Sequence, residues 1–397
     1  LIHVASLLLF AWRCKVNEEF LSNLNVMAKS PLILAALAKA AVPQYDFTQV
    51  KGLSAEGSAA FDTALLTATT GDHYIIRIAN TQAAGAEQEV ELRALKAFGI
   101  TDRMRLPFKI SNLIGETKDE RGNRALVFEF IYGNPIDINT VSADSHFSNS
   151  IAKAIAAIHN LSKLIVEDAH LASYEPAEIV RNRVAELDRI AATGRVPSIL
   201  LSRWEAALED SSLFRFQPCV IHGSLNGDSM LALDGEVTGV LGWSTLKISD
   251  PAEDFAWILG TGIHELSDSI IDVYRQHHIA VDPGFRQRAT LYSELEFARW
   301  LMHGLAKKDQ EIIDDAVSLL EGLAEEVATG AVGRLTAAPI QVINTFEPAP
   351  VEVLIEETEF EVIDLSAPDA QTAEQISFND DATRPIELPQ KSDNELF

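Results

Sequence analysis

Residues 219–257 read CVIHGSLNGDSMLALDGEVTGVLGWSTLKISDPAEDFAW, and this stretch decides the fold. Cys219-Val220-Ile221 is a short apolar run that predicts a strand. His222 to Ser229 is polar and predicts a loop. Met230 to Leu233 and Glu236 to Leu241 are two further apolar runs, and Asp234-Gly235 between them is a two-residue hairpin signal. Asp250-Pro251 then predicts a helix start, with Asp250 as its cap and Pro251 at its first position.

The stretch resembles the catalytic segment of the aminoglycoside/macrolide phosphotransferase family, which has the protein-kinase-like fold. The family's loop reads H-G-D-L-H-P-G-N-[VIL]-L, its next hairpin strand ends G-V-I-D-W, and a D-P-x-x-D-[FL]-A helix start follows. His222, Gly223, Leu225, Leu231, Gly239, Val240, Trp243, Asp250, Pro251, Asp254, Phe255 and Ala256 match that framework in register. The residues that carry the chemistry differ. The family's catalytic Asp falls on Ser224, its metal-binding Asn on Ser229, and its metal-binding Asp on Gly242.

Phosphoryl transfer depends on positioning and charge neutralisation. Magnesium takes oxygen ligands, usually one or two carboxylates together with phosphate oxygens and water. Gly242 offers no side chain and Ser229 only a neutral hydroxyl. Ser224 has no carboxylate to orient or deprotonate an attacking hydroxyl. The resemblance therefore implies a degenerate member, with no catalytic residue and no metal ligand of the usual set intact and Mg²⁺ without its customary holders. Asp228, beside Gly227, is the candidate replacement, with Asp250 more distant. The motif itself makes Asp250 and Asp254 a helix cap and a structural carboxylate, and His222 and Trp243 packed framework.

The segments on either side complete a two-lobed plan. Pro31 to Ala41 predicts a helix. Phe47 to Val50, Ala60 to Thr67 and His73 to Ala79 predict strands, Gln82 to Phe98 an amphipathic helix, and Lys109 to Glu116 with Asn123 to Ile131 a hairpin. That order is the one expected of a kinase-like N-lobe. Beyond Pro135 the periodicity is helical, at Ser148 to Leu161, Pro176 to Ala192, Ser198 to Leu208, Ile263 to His278, Pro283 to Leu305 and Asp309 to Thr329. The expected class is α+β: a bilobed protein-kinase-like fold with an antiparallel-sheet N-lobe over 30–134 and a mostly helical C-lobe over 135–330. An extension over 1–29 precedes it, and a disordered acidic tail over 331–397 follows.

In that plan ATP or GTP lies between the lobes. The resemblance places Arg77 at the nucleotide phosphates, paired with Glu91 on the following helix; Glu87 and Glu89 compete for that register. An Arg77 on the wet face of a half-buried sheet is the plainer alternative. The hinge falls at Phe128 to Tyr132, where the carbonyl of Glu129 and the amide of Ile131 would hold the base. There is no G-x-G-x-x-G loop, and Gly52 to Ser58 is either a cover for the phosphates or a turn between strands.

Composition bounds the partners. A formal net charge of −26 excludes a general nucleic-acid binder and attraction to an anionic membrane. Cys14 and Cys219 are far apart and form no metal spacing, the usage of a reducing cytoplasm. Leu1 to Trp12 is apolar but about eight residues short of a bilayer span, and Arg13 and Lys15 follow it, the reverse of a signal peptide. Met27 is a natural start, so the preceding residues read as an upstream extension, or else as a weak membrane-surface anchor. Residues 336–397 hold fourteen acids and two bases, Arg384 and Lys391. Within them Val351 to Leu365 alternates apolar and acidic residues, so that the tail is either a solvated acidic segment or a peptide for a protein partner.

Three functions follow as expectations: a pseudokinase with a nucleotide-binding or regulatory role, an active small-molecule kinase working through displaced ligands such as Asp228, and an interaction module without nucleotide. Any small-molecule ligand would be contacted by C-lobe helices that carry no short signature.

Overall fold

Alternation builds the first sheet. In the computed structural model, which describes residues 29–53, 60–278 and 281–336, strands β1 (Phe47–Gly52), β2 (Phe61–Ala68), β3 (His73–Ala79), β6 (Arg124–Glu129) and β5 (Leu113–Lys118) lie side by side in that order, all antiparallel. The segment before Lys29, most of the Gly52 to Ser58 turn, and the acidic stretch from 337 onward lie outside the described residues. Along β2 and β3 every second residue is buried. Ala64, Leu66, Ile76 and Ile78 thus share one face with Ala125 and Val127. Helix α1 (Pro31–Ala41) closes that face with Leu34 and Ala38, its start fixed by the Ser30 hydroxyl, which accepts from the Ile33 amide, and by Pro31. The period of two turns Arg77 to the opposite face, toward helix α2 (Gln82–Ala97).

The larger core lies in the C-terminal lobe. Helices α4 (His146–His159), α6 (Pro176–Ala191), α7 (Ser198–Glu209), α9 (His264–His277), α10 (Phe285–Lys307) and α11 (Gln310–Thr329) surround β8 (Cys219–Ile221) and the hairpin β9 (Met230–Leu233) and β10 (Glu236–Val240). The stripe Ile151, Ile155 and Ile158 on α4 is fully buried. Asp234 and Gly235 take φ of 53° and 78°, the left-handed pair that a tight hairpin turn requires. Cys219 is buried, and burial pushes its thiol well above the ordinary value. The packed chain runs on to Leu335, and the Gly333 carbonyl accepts from Arg203.

Several expectations need correction. The predicted strand Lys109 to Glu116 divides in two. Its first residues, β4 (Lys109–Ile110), pair in parallel with β10, because Phe108 and Ile110 are buried in the C-terminal core. The helix at Asp250-Pro251 begins as a 3₁₀ segment, Pro251–Phe255, and becomes α-helical only in α8 (Ala256–Leu259). Three residues per turn set Pro251 and Asp254 on the same inward side, where both are buried. Short elements escaped the periodicity: α3 (Ile100–Arg105), α5 (Leu164–Asp168), β7 (Asn134–Pro135) and β11 (Lys247–Ser249).

One buried histidine sets a pH dependence. His278 donates from Nδ1 to Asn160 at 2.8 Å and stacks on Tyr274, while its buried Nε2 has no hydrogen-bond partner among the described residues. Burial first, and the nearby His159 second, hold its pKa down at about 4. The unfolded chain therefore binds this proton nearer 6.5 and the folded chain does not. Stability from this group is complete above 6.5 and falls as the pH drops toward 4, by up to roughly 3 kcal/mol. Urea unfolding at pH 7 and pH 4.5 should show this slope, and His278→Leu should flatten it.

Candidate functional site

The sheet and α2 bring together the charges that the sequence pairs. Arg77 Nη1 donates to Glu91 Oε2 at 2.9 Å, and the guanidinium lies 3.8 Å from the centre of the Phe61 ring. Glu91 is buried, one of the few buried acids among the described residues. The two competitors are engaged elsewhere: Glu89 with Arg124, and Glu87 with the Ser244 hydroxyl at 3.3 Å. At the hinge, Glu129 ends β6 opposite Tyr74, and its amide donates to the Asn112 carbonyl. Ile131 is buried against Gly239, where an added Cβ would come within 2.4 Å of the Ile131 side chain. The Tyr132 carbonyl accepts from Thr238 of β10, and its hydroxyl meets His73 of β3, so this crossing is tied to both lobes.

The loop from His222 to Ser229 is held from below by Asp254. This fully buried carboxylate accepts from the amides of His222 (2.8 Å) and Gly223 (2.7 Å) and from His159 Nε2 (3.2 Å). Burial would raise its pKa, but the His159 hydrogen bond and charge, the neighbouring His222 and the Gly223 amide outweigh it and hold the carboxyl below its ordinary value. His222 Nε2 donates to the Leu241 carbonyl, and its ring meets Trp243 edge-on. Both residues are packed framework.

The three positions in question have defined surroundings. Ser224 Oγ lies 2.7 Å from Thr245 Oγ1, whose own proton goes to the His222 carbonyl, so the Ser224 proton is directed at Thr245. His222 Nδ1 is 3.5 Å away, too long for an activating base. Ser229 is buried and turned into the loop: its hydroxyl donates to the Asn226 carbonyl and accepts from the Asn226 amide, each at 2.9 Å. Gly242 sits at φ 80°, ψ 49° ahead of a 3₁₀ turn, Trp243–Thr245, with nothing within 4 Å of the Cβ it lacks. Asp250 does not face the cleft. It is fully buried and accepts from Arg288 Nε (2.6 Å), the Tyr292 hydroxyl (2.7 Å) and the Ala252 amide, which rules it out as a replacement ligand.

Ser224 and Asp228 border a cavity of about 330 Å³ that continues into the C-lobe, walled by Ile138, Trp257, Tyr292 and Phe297. Two cations on its wall are already balanced. Arg183 pairs with Glu186 and Glu253, and Arg299 with Glu186 and Glu296. Burial acts to raise Glu186, yet the two guanidiniums hold it down at about 2. These residues were not legible in the sequence, being contributed by distant segments: the Arg299–Glu186 pair alone spans 113 positions. Asn226 was also missed. Its side chain accepts from the Ser229 amide and donates to the Ser224 carbonyl, closing the loop on itself.

The profile of the phosphotransferase enzyme family matches residues 52–291. The chain belongs to that family. Among solved structures, the macrolide 2′-phosphotransferase MphH from Brachybacterium faecium is similar at 19% identity and TM-score 0.61, over 72% of this chain and 97% of that one. The aminoglycoside 2′-phosphotransferase-IIIa, solved as its GDP complex, gives 16% identity and TM-score 0.61 over 75% and 100%. At such identities the likeness is one of fold: the kinase-like architecture of an antiparallel N-terminal sheet and a helical C-terminal region. YcbJ, an uncharacterized protein of Bacillus subtilis (strain 168), is 24% identical over 110 residues, which is 28% of this chain and about a third (36%) of that protein. No helix of the described residues is long and apolar enough to cross a membrane.

Proposed function

We propose that this phosphotransferase-family protein is a pseudokinase: it binds ATP or GTP between its lobes and transfers phosphate poorly or not at all. One observation carries the reading. The ion pair Arg77–Glu91 is formed on one wall, while the opposite wall presents a serine hydroxyl at 224, an inward-turned hydroxyl at 229 and no side chain at 242. That donor set does not fit magnesium, which wants carboxylate or carbonyl oxygens in near-octahedral array. Among the described residues no group of three or more His, Cys, Asp or Glu side chains is placed to hold a metal ion. Arg77, with Glu91 orienting it, would meet the phosphates, and the backbone at Glu129 and Ile131 the base. A small molecule in the 330 Å³ cavity and a protein partner on the acidic tail would be what the bound state presents itself to.

One feature favours a second reading, an active small-molecule kinase: Asp228 borders the same cavity as Ser224. The separating experiment is nucleotide binding with and without Mg²⁺. ATP or GTP at about a hundred times its Kd should add about 2.7 kcal/mol to stability. The affinity should change little when Mg²⁺ is chelated, and Arg77→Gln should abolish it. Mg²⁺-dependent turnover that disappears in Asp228→Ala would overturn the first reading in favour of the second. Absence of any nucleotide effect would leave an interaction module.

A further inference from the structure

The charges on the wall of the 330 Å³ cavity neutralise one another. Lys247, Glu253, Arg183, Glu186, Arg299 and Glu296 form an unbroken row in which the sign alternates, so that it sums to zero. Four of them, Arg183, Glu253, Glu296 and Arg299, line the cavity. From Lys247 to Glu186 the side chains are no more than 20% exposed. A ligand charge that captured one member would leave its partner buried and uncompensated, a costly exchange. Of the other two lining acids, Asp137 accepts from the Asn139 amide and caps the turn Ile138–Thr140, and Asp228 stands at the Ser224 end.

Three buried polar atoms on the lining residues have no hydrogen-bond partner among the described residues: Nε1 of Trp257, Nε of Arg183 and Oδ1 of Asn139. Trp257 is the exception among the described tryptophans. Trp204 donates to Glu294, Trp243 to the Val240 carbonyl and Trp300 to Asp315. A buried donor without an acceptor is destabilising, and an occupant that brings one removes that cost. An alcohol oxygen accepts from an N–H and its proton goes to a carbonyl oxygen, so one functional group serves both kinds of atom. Trp257 is itself only half-buried, so its indole can turn to present the N–H to an occupant.

We propose, resting on the reading that a small molecule occupies this cavity, that its occupant is an uncharged, compact ring alcohol. Its apolar body lies against Ile138, Trp257 and Phe297, and its hydroxyl is directed at Trp257 and Asn139. The aromatic walls offer a ring large apolar area at defined geometry. The self-neutralised row of charges favours neither a polycation nor an anion. The volume stands at the low end of the roughly 300–1,000 Å³ of a drug-sized site, which suits a compact body. Trp257 is then a specificity-determining residue, selecting for an acceptor on the ligand by its unpaired N–H.

The test is calorimetric titration of the full chain, without nucleotide, with three probes on one skeleton: naphthylethanol, protonated naphthylethylamine and naphthylacetate. Saturable binding of the alcohol is expected, at least tenfold tighter than that of the amine or the carboxylate. Trp257→Phe keeps a ring and removes the N–H, and should weaken the alcohol at least threefold; Trp257→Ala should weaken it at least tenfold. Arg77→Gln should leave alcohol binding unchanged while abolishing nucleotide binding, so that the two sites fail independently. An amine or carboxylate that binds as tightly as the alcohol, alcohol binding untouched by Trp257→Ala, or an alcohol response that never saturates would overturn the proposal. None of these three results bears on the nucleotide reading, which ATP titration of the same protein decides.

Discussion

Replacing Ser224 by Asp, Ser229 by Asn and Gly242 by Asp together is expected to give the protein Mg²⁺-dependent phosphoryl transfer at least about a hundredfold above that of the natural chain. The lower bound is the worth of a general base alone, roughly 10²–10⁴ in rate. The metal clamp adds to it, though such contributions do not sum simply. The three sites differ in how readily they take the change. At Gly242 an added Cβ meets nothing within 4 Å, but the residue sits at φ 80°. A side chain there costs at most about 1–2 kcal/mol, and Asp is among the residues that tolerate it. At 224 the new carboxylate takes the place of a hydroxyl that already donates to Thr245, so Thr245 must turn its own proton from the His222 carbonyl to the carboxylate. Ser229 is the difficult site, because its hydroxyl satisfies both the amide and the carbonyl of Asn226. The pair Ser224→Asp/Gly242→Asp is therefore the necessary companion: it should bind Mg²⁺ with nucleotide even if the 229 change disturbs the loop. Transfer is read with labelled ATP and a mixed panel of sugars, aminoglycosides and macrolides. A triple variant that melts like the natural chain and binds Mg²⁺ with nucleotide, yet shows no gain in transfer, would show that these positions are not what limits the chemistry.

How much of this could be read from the sequence follows from the distance over which each feature is specified. The Arg77 wall was legible because two local periods determine it. Alternation in β3 opposes Arg77 to Ile76 and Ile78, and the helical period of α2 puts Glu91 among Leu92 and Leu95 on the inward side. Asp234-Gly235 was legible for the same reason, since two adjacent residues set the turn. The cap role of Asp250 was legible too, but the ion pair that buries it was not. As a cap it is local, but its partner Arg288 lies 38 residues away on a long helix, where an arginine reads as solvated surface. Yet Arg288 is fully buried, held by Asp250, Asp282 and the Leu213 carbonyl. The cavity wall joins Arg183 to Arg299 through Glu186, an arrangement with no period at all. The split of Lys109 to Glu116 between two sheets was hidden because both halves look like strand; only the packing of Ile110 in one core and of Ile114 against the other divides them.

Asp254→Ala is expected to cost roughly 3–5 kcal/mol of folding stability, the usual penalty for removing one partner from a buried charged network. The carboxylate is fully buried, and its loss strands three donors at once: the amides of His222 and Gly223 and the Nε2 proton of His159. Water cannot replace it readily in a site walled by Phe255 and Tyr274. Asp254→Asn should cost less, about 1–3 kcal/mol. The amide matches the shape, and His159 can exchange tautomers with Tyr274, but one backbone N–H then faces an N–H. The pH dependence has a definite sign. Because the folded carboxyl titrates below its ordinary value near 3.8, its contribution is complete above that value and is lost as the pH falls through the lower folded one. Urea unfolding of both variants at neutral pH measures the costs. The same network carries the loop that places Ser224, Asp228 and Ser229, so the variants should also loosen that loop and weaken whatever ligand the 330 Å³ cavity takes. An Asp254→Ala protein within about 1 kcal/mol of the natural chain would mean that the loop finds its donors' partners elsewhere; Asp254 would then not be what positions it.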